Sequence, residues 1–188
     1  MRVVLKTMAA LSTVVGLSLG GVAHHPPTAG AATLDDPFSS APIVEAGGPD
    51  AMPVLLGTAL RVNWASSTVD CVRQHSLLVQ AASVATVNEP TDTRLLQVVV
   101  RFKSLTGRVA IDDADFSMLN ANGAEYEPVR PPADQSVPPL LDEELAAGDA
   151  VVEGAVYFEV PVRTSGLLIG YDPSPADELV GRWTLSAP

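Results

Sequence analysis

The sequence predicts an all-β protein, an antiparallel β-sandwich of about seven to nine strands. Hydrophobic and polar residues alternate in short runs, turn residues separate these runs at short intervals, and no convincing amphipathic helix exceeds two turns. Hydrophobic residues make up 47% of the 188 residues, enough to fill the core of one domain. With a single cysteine, that core must be held by apolar packing rather than by an internal disulfide.

The N-terminal 31 residues have the three parts of a secretory signal peptide. Arg2 and Lys6 precede an uncharged apolar stretch over 8–23, and the small residues at 29–31 form a cleavage site. We therefore expect 1–31 to be removed on export to the cell envelope or the extracellular medium, with an uncleaved anchor as the alternative. His24 and His25 fall inside this segment and are interpreted as its polar end rather than as metal ligands.

The next segment, 32–52, is rich in proline and glycine and has neither helical nor strand periodicity. It is predicted to be a flexible linker, which leaves 53–188 as the folded domain. Loss of Arg2 and Lys6 leaves 9 basic against 22 acidic residues, a net charge of 9 − 22 = −13. Such a surface repels nucleic acids and anionic membranes, whereas cationic partners remain compatible with it.

Within the domain, Leu96, Val98 and Phe102 alternate with polar residues as in a half-buried strand. Asn122-Gly123 is typical of a two-residue hairpin loop. The proline-rich, acidic connection 128–148 is predicted to be a loop with one short helical turn over 140–145. The predicted strands are 54–62, 77–87, 96–103, 109–111, 116–120, 125–127, 151–160, 167–171 and 179–185.

The order of these signals resembles a known family. The matching pieces are Leu95–Lys103, Asp115–Leu119, Asn122–Pro128, Ala147–Asp149, Gly154–Pro161, Leu167–Asp172 and Arg182–Leu185, with Val54–Leu60 matching the narrower family named below. In this order they resemble telokin-like, immunoglobulin-fold domains of secreted bacterial proteins of unknown function, related to the small secreted mycobacterial immunogen family. The resemblance implies an immunoglobulin-like sandwich, no known catalytic residues, and a role in binding or at the host interface.

Cys71 and His75 are four residues apart, and Asp70 is adjacent to Cys71. This spacing fits a thiol–imidazole pair or half of a metal site, but two ligands fall short of a zinc site. The favoured interpretation is a buried or unpaired thiol, and the alternative is a disulfide between two chains. We therefore expect a monomer or a weak dimer, with Cys71 as the dimer contact.

Two acidic runs could hold a hard cation such as calcium. Asp112, Asp113 and Asp115 crowd one turn, and Asp142-Glu143-Glu144 lies in the proline-rich connection. Neither run has the spacing of a known calcium loop, so turn formation and solvated charge are the favoured interpretations. We assign no metal-binding or cofactor-binding residue.

The sequence also contains no recognisable catalytic set. After the proposed cleavage site His75 is the sole histidine, and that part of the chain has neither a Gly-x-Ser-x-Gly elbow nor a Ser-x-x-Lys pair. Trp183 is interpreted as a core residue, and Trp64 as core or, less favoured, as an exposed contact.

The sequence therefore predicts an exported, non-enzymatic protein that binds an unknown protein partner or host factor. The alternatives are a carrier of a small ligand or metal ion and, less favoured, a carboxylate-dependent hydrolase of envelope polymers.

Overall fold

The computed structural model describes residues 36–47, 50–67, 69–88, 92–133, 135–140, 142–173 and 181–185. The predicted signal peptide 1–31 lies outside these residues. Their secondary structure is β throughout, apart from one 3-10 turn, Asp113–Asp115. None of the helical structure they contain is long and apolar enough to cross a bilayer.

Twelve strands occur in the described part of the chain. They are β1 (Ile43–Glu45), β2 (Val54–Leu55), β3 (Ala59–Ser67), β4 (Val72–Asn88), β5 (Thr93–Thr106), β6 (Arg108–Ile111), β7 (Phe116–Leu119), β8 (Glu125–Tyr126), β9 (Glu143–Ala146), β10 (Val152–Pro161), β11 (Leu168–Tyr171) and β12 (Gly181–Thr184).

The strands form two five-stranded sheets and one two-stranded ladder. The first sheet has the order β1-β3-β4-β5-β10, the second has the order β2-β12-β11-β7-β8, and β6 pairs with β9. Most neighbours are antiparallel, but β1 pairs with β3, and β2 with β12, in parallel. The predicted β-sandwich is therefore confirmed, with two short parallel edge strands added to it.

The core lies between the two sheets and follows the predicted alternation. Leu96, Val98 and Phe102 of β5 are buried, as are Val156 and Phe158 of β10. These side chains belong to one cluster with residues of the second sheet, because alternate residues of a strand face the same side.

Trp183 on β12 is fully buried, as predicted. Its indole nitrogen donates a hydrogen bond to the carbonyl oxygen of Thr58 at 2.8 Å. This bond satisfies the polar atom of the largest side chain in the core, which would otherwise be costly to bury.

The prediction of a flexible linker over 32–52 is wrong for 36–47. Ile43–Glu45 forms an edge strand, and Phe38 is buried in a second apolar cluster with Ala59 and Leu78. Leu78 faces away from the main core, so Phe38 covers the outer surface of the first sheet. The hydrophobic residues of this segment lack a period because Phe38 packs against the sheet while Ile43 and Val44 stay exposed.

The connection 128–140 lies along the free edge of β10. The backbone nitrogen of Val129 donates to the carbonyl oxygen of Tyr157 at 2.7 Å. The backbone nitrogen of Leu140 donates to the carbonyl oxygen of Ala155 at 2.9 Å. The connection therefore satisfies peptide groups that an open edge strand would expose.

Three local predictions differ from the structure. The expected helical turn over 140–145 is wrong, because Glu143–Ala146 pairs with β6 as a strand. The expected strand 54–62 is split at Gly57, whose φ of +84° lies outside the strand region. The Asn122-Gly123 loop is longer than two residues, because the backbone nitrogen of Gly123 donates to the backbone carbonyl oxygen of Asn120 at 3.0 Å within a four-residue turn.

Candidate functional site

An acidic cleft of 540 Å³ lies beside the start of β7. Its walls come from the 3-10 turn, from β8 with the segment that follows it, and from the end of β11. Because most of the charged groups that these elements supply are carboxylates, the cleft has a strong negative charge. The charged residues lining it are Asp113, Asp115, Glu125, Glu127, Asp172 and Arg130.

Local hydrogen bonds position the 3-10 turn that forms one wall of the cleft. The side chain of Asp112 accepts from Ala114 nitrogen at 2.8 Å, which caps the 3-10 turn. The backbone nitrogen of Asp172 donates to the backbone carbonyl oxygen of Asp115 at 2.8 Å. This bond fixes the turn to the end of β11. The interpretation of Asp112, Asp113 and Asp115 as turn-forming residues is therefore consistent with this geometry.

Two of these aspartates meet a third from a distant part of the sequence. Carboxylate oxygens of Asp112, Asp113 and Asp142 lie within 4.8 Å of one another. Burial raises the pKa of Asp113, and its hydrogen bond with Asp112 and the negative charges of Asp112 and Asp142 raise it further. Asp115, which the sequence groups with the other two, is not part of this trio but lines the cleft together with Asp113.

The other acidic residues of the predicted run have different roles. Glu143 and Glu144 lie on β9, where Glu144 forms an ion pair with Arg108 at 3.3 Å. The sequence could not place Asp142 near Asp112, because their proximity depends on the pairing of β6 with β9. The sequence could have indicated that Glu125 and Glu127 act together, because residues two apart on an extended chain face the same side.

The thiol–imidazole pair, the less favoured interpretation of Cys71 and His75, does not form. His75 lies on β4 and Cys71 directly precedes that strand, so the extended backbone separates their Cα atoms by about 13 Å. Cys71 is exposed, which differs from the buried thiol considered above.

His75 instead contacts two residues of β3. Its Nε2 atom lies 2.8 Å from the hydroxyl oxygen of Ser66, and its ring stacks on Trp64 with centroids 5.2 Å apart. The sequence did not identify Ser66, because only the antiparallel register of β3 and β4 brings it close to His75. Trp64 is half-buried, between the two interpretations made for it.

This Ser66–His75 pair lacks the third member of a catalytic triad. The Nδ1 atom of His75 is buried and has no hydrogen-bond partner among the described residues. In a working triad a carboxylate accepts from this nitrogen and stabilises the charged imidazole. The pair is therefore poorly suited to activating a serine nucleophile.

Comparison with known proteins adds one relationship at the level of fold. The chain is similar to a solved structure of MPT63, a secreted protein from Mycobacterium tuberculosis, with a TM-score of 0.52 and 17% sequence identity. The fold is that of an MPT63-like sandwich. The match covers 71% of this chain and 98% of MPT63, so the predicted resemblance to the small secreted mycobacterial immunogen is confirmed for the fold. No family model and no curated protein matches the chain.

Proposed function

We propose that this is an exported, non-enzymatic binding protein whose acidic cleft recognises a positively charged segment of another protein. The single observation that carries the proposal is the convergence of five carboxylates and one arginine on a cleft of 540 Å³. Clefts of this size lie within the range that binds ligands, and opposite charge steers a partner toward them.

Three further observations support export and the absence of catalysis. The N-terminal 31 residues have the pattern of a secretory signal, and the protein with a similar fold is described as secreted. Within the described part of the chain, no carboxylate accepts a hydrogen bond from Nδ1 of His75 in the Ser66–His75 pair. Detection of the protein in the culture medium with Ala32 as its first residue would support export, whereas an intact chain inside the cell would contradict it.

Binding can be tested with a peptide of alternating lysine and glycine, using the matching glutamate–glycine peptide as a control. Replacing Glu125 and Glu127 together by glutamine should weaken binding of the lysine peptide roughly tenfold, because two charge contacts are lost. The matched control replaces the exposed carboxylates of Asp50 and Asp92, which lie outside the cleft, by asparagine. Equal weakening in both variants would show a general charge effect and contradict recognition by the cleft.

The convergence of Asp112, Asp113 and Asp142 favours a second candidate, the binding of a hard divalent cation. Carboxylate oxygens are the ligands that calcium prefers. Calorimetry with calcium chloride tests it, with Asp142→Asn as the variant. Heat of binding that this variant removes would support the second candidate, and the absence of heat would exclude it.

A further inference from the structure

A second cleft, of 220 Å³, lies between the end of the β3–β4 hairpin and strand β6. The hairpin contributes Trp64, Ser66 and His75, the strand contributes Arg108, and Pro173 closes one side. This cleft shares no lining residue with the acidic cleft described above. Its chemistry therefore has to be considered by itself.

Trp64 is fixed in this cleft before any ligand arrives. The interplanar angle between its indole and the imidazole of His75 is 10°, and His75 is in turn hydrogen-bonded to Ser66. The antiparallel register pairs Trp64 directly with His75, so the backbone enforces the stack. Because the indole is half-buried, it offers a rigid flat surface at little entropic cost on binding.

One charged side chain, Arg108, lines this cleft, and its ion-pair partner Glu144 lies outside the lining. Arg108 donates to a carboxylate oxygen of Glu144 at 3.3 Å, and the two side chains are 71% and 60% exposed. The guanidinium offers donors and the carboxylate offers acceptors, while the pair as a whole has no net charge. A neutral ligand with several hydroxyl groups can accept hydrogen bonds from Arg108, whereas the guanidinium repels a cation and the acidic protein repels an anion.

The cleft of 220 Å³ is open to solvent, and its volume suits a small ligand such as one six-membered ring. We propose that this cleft binds a pyranose ring of a neutral carbohydrate. The C–H face of the sugar stacks on Trp64, and its hydroxyl groups accept hydrogen bonds from Arg108.

The proposal can be tested by nuclear magnetic resonance, because the chain has two tryptophans and Trp183 is fully buried. Methyl glucoside and N-acetylglucosamine are titrated separately into the labelled full-length protein. We expect a saturable shift of the Trp64 indole N–H resonance, with dissociation constants roughly in the millimolar range for so few contacts. The Trp183 resonance should stay unchanged.

Two variants distinguish the cleft from general effects. Arg108→Ala should weaken binding about tenfold through loss of a charged hydrogen-bond donor, and its exposed side chain can be removed without disturbing the core. Val69→Ala, a fully exposed position at the hairpin tip, should bind like the wild type. His75→Phe keeps a ring behind the indole and should retain binding, whereas His75→Ala should weaken it.

Three results would overturn the proposal. The first is that neither sugar gives a saturable shift of the Trp64 resonance. The second is that Arg108→Ala binds both sugars as tightly as the wild type. The third is that benzoate or tetramethylammonium shifts the Trp64 resonance while both sugars fail, which would assign the cleft to a charged ligand instead.

Discussion

The hydroxyl group of Tyr157 donates a hydrogen bond to the side-chain oxygen of Gln135 at 3.0 Å. The same hydroxyl accepts a hydrogen bond from the amide nitrogen of Gln97 at 2.6 Å. Tyr157 and Gln97 are buried on neighbouring strands of the first sheet, so this network fastens the connection 128–140 to the sheet. The proline-rich connection is thus a structural cover for strand β10.

Tyr157→Phe removes the centre of this network. It leaves the buried amide of Gln97 without its acceptor, so we expect a loss of about 1–2 kcal/mol in the free energy of unfolding. Urea denaturation measures this loss. Tyr126→Phe is the matched control, because its hydroxyl accepts a longer bond of 3.2 Å at a half-buried position. Equal stability of the Tyr157→Phe variant and the wild type would contradict this role for the network.

Gly154→Ala, on strand β10, tests the packing of the connection 128–140 against that strand. A Cβ atom at this position would lie 2.7 Å from the Cα atom of Leu140, so the backbone of the connection must move. We expect faster hydrogen exchange of the Leu140 amide, which donates to the carbonyl oxygen of Ala155 in the wild type. We also expect a loss of about 1–3 kcal/mol in the free energy of unfolding. Unchanged exchange at Leu140 would show that the connection tolerates the methyl group.

Phe38→Ala tests the segment that the sequence predicts to be flexible. Because Phe38 is buried against the outer surface of the first sheet, removing its ring should lower the free energy of unfolding by about 3 kcal/mol. Guanidinium denaturation measures the effect. Lys103→Ala removes the ion pair that fastens Asp36 and should cost less, since both groups are partly exposed. A stability of Phe38→Ala equal to that of the wild type would mean that the segment is detached in solution.

The pKa of Asp113 gives a prediction about pH. Its folded-state pKa is raised above 3.8, so the folded protein binds a proton more tightly than the unfolded chain does. Stability therefore falls as the pH rises from about 3.8 through the raised pKa. Asp113→Asn should raise the melting temperature by about 2 °C at neutral pH, with a smaller gain in acid. A larger gain in acid than at neutral pH would contradict this sign.

Much of the fold could be predicted because hydrophobic residues recur at alternate positions along its long strands. Leu96 to Phe102 and Val156 to Phe158 show their buried sides through residue type alone. The segment containing Phe38 could not be predicted, since a single anchoring side chain produces no period. Glu143–Ala146 became a strand through its partner β6, which local propensity does not include.

The candidate sites depended still more on pairing between distant segments. Asp113 and Asp142 meet because two strands pair, and Ser66 meets His75 for the same reason. The sequence showed which residues carry charge or rings, but their grouping into two clefts required the strand registers. A Cys71–His75 pair, which the sequence analysis did not favour, is absent because the extended backbone separates the two residues.

The central proposal, recognition of a positively charged protein segment by the acidic cleft, is tested most directly by mapping where a cationic peptide binds. The lysine–glycine peptide is titrated into isotope-labelled protein while backbone amide shifts are recorded. We expect the largest shifts at 113–117, 125–130 and Asp172, the residues that line the cleft, and a decrease as salt screens the charges. Shifts spread evenly over the acidic surface, or centred away from these residues, would contradict the proposal.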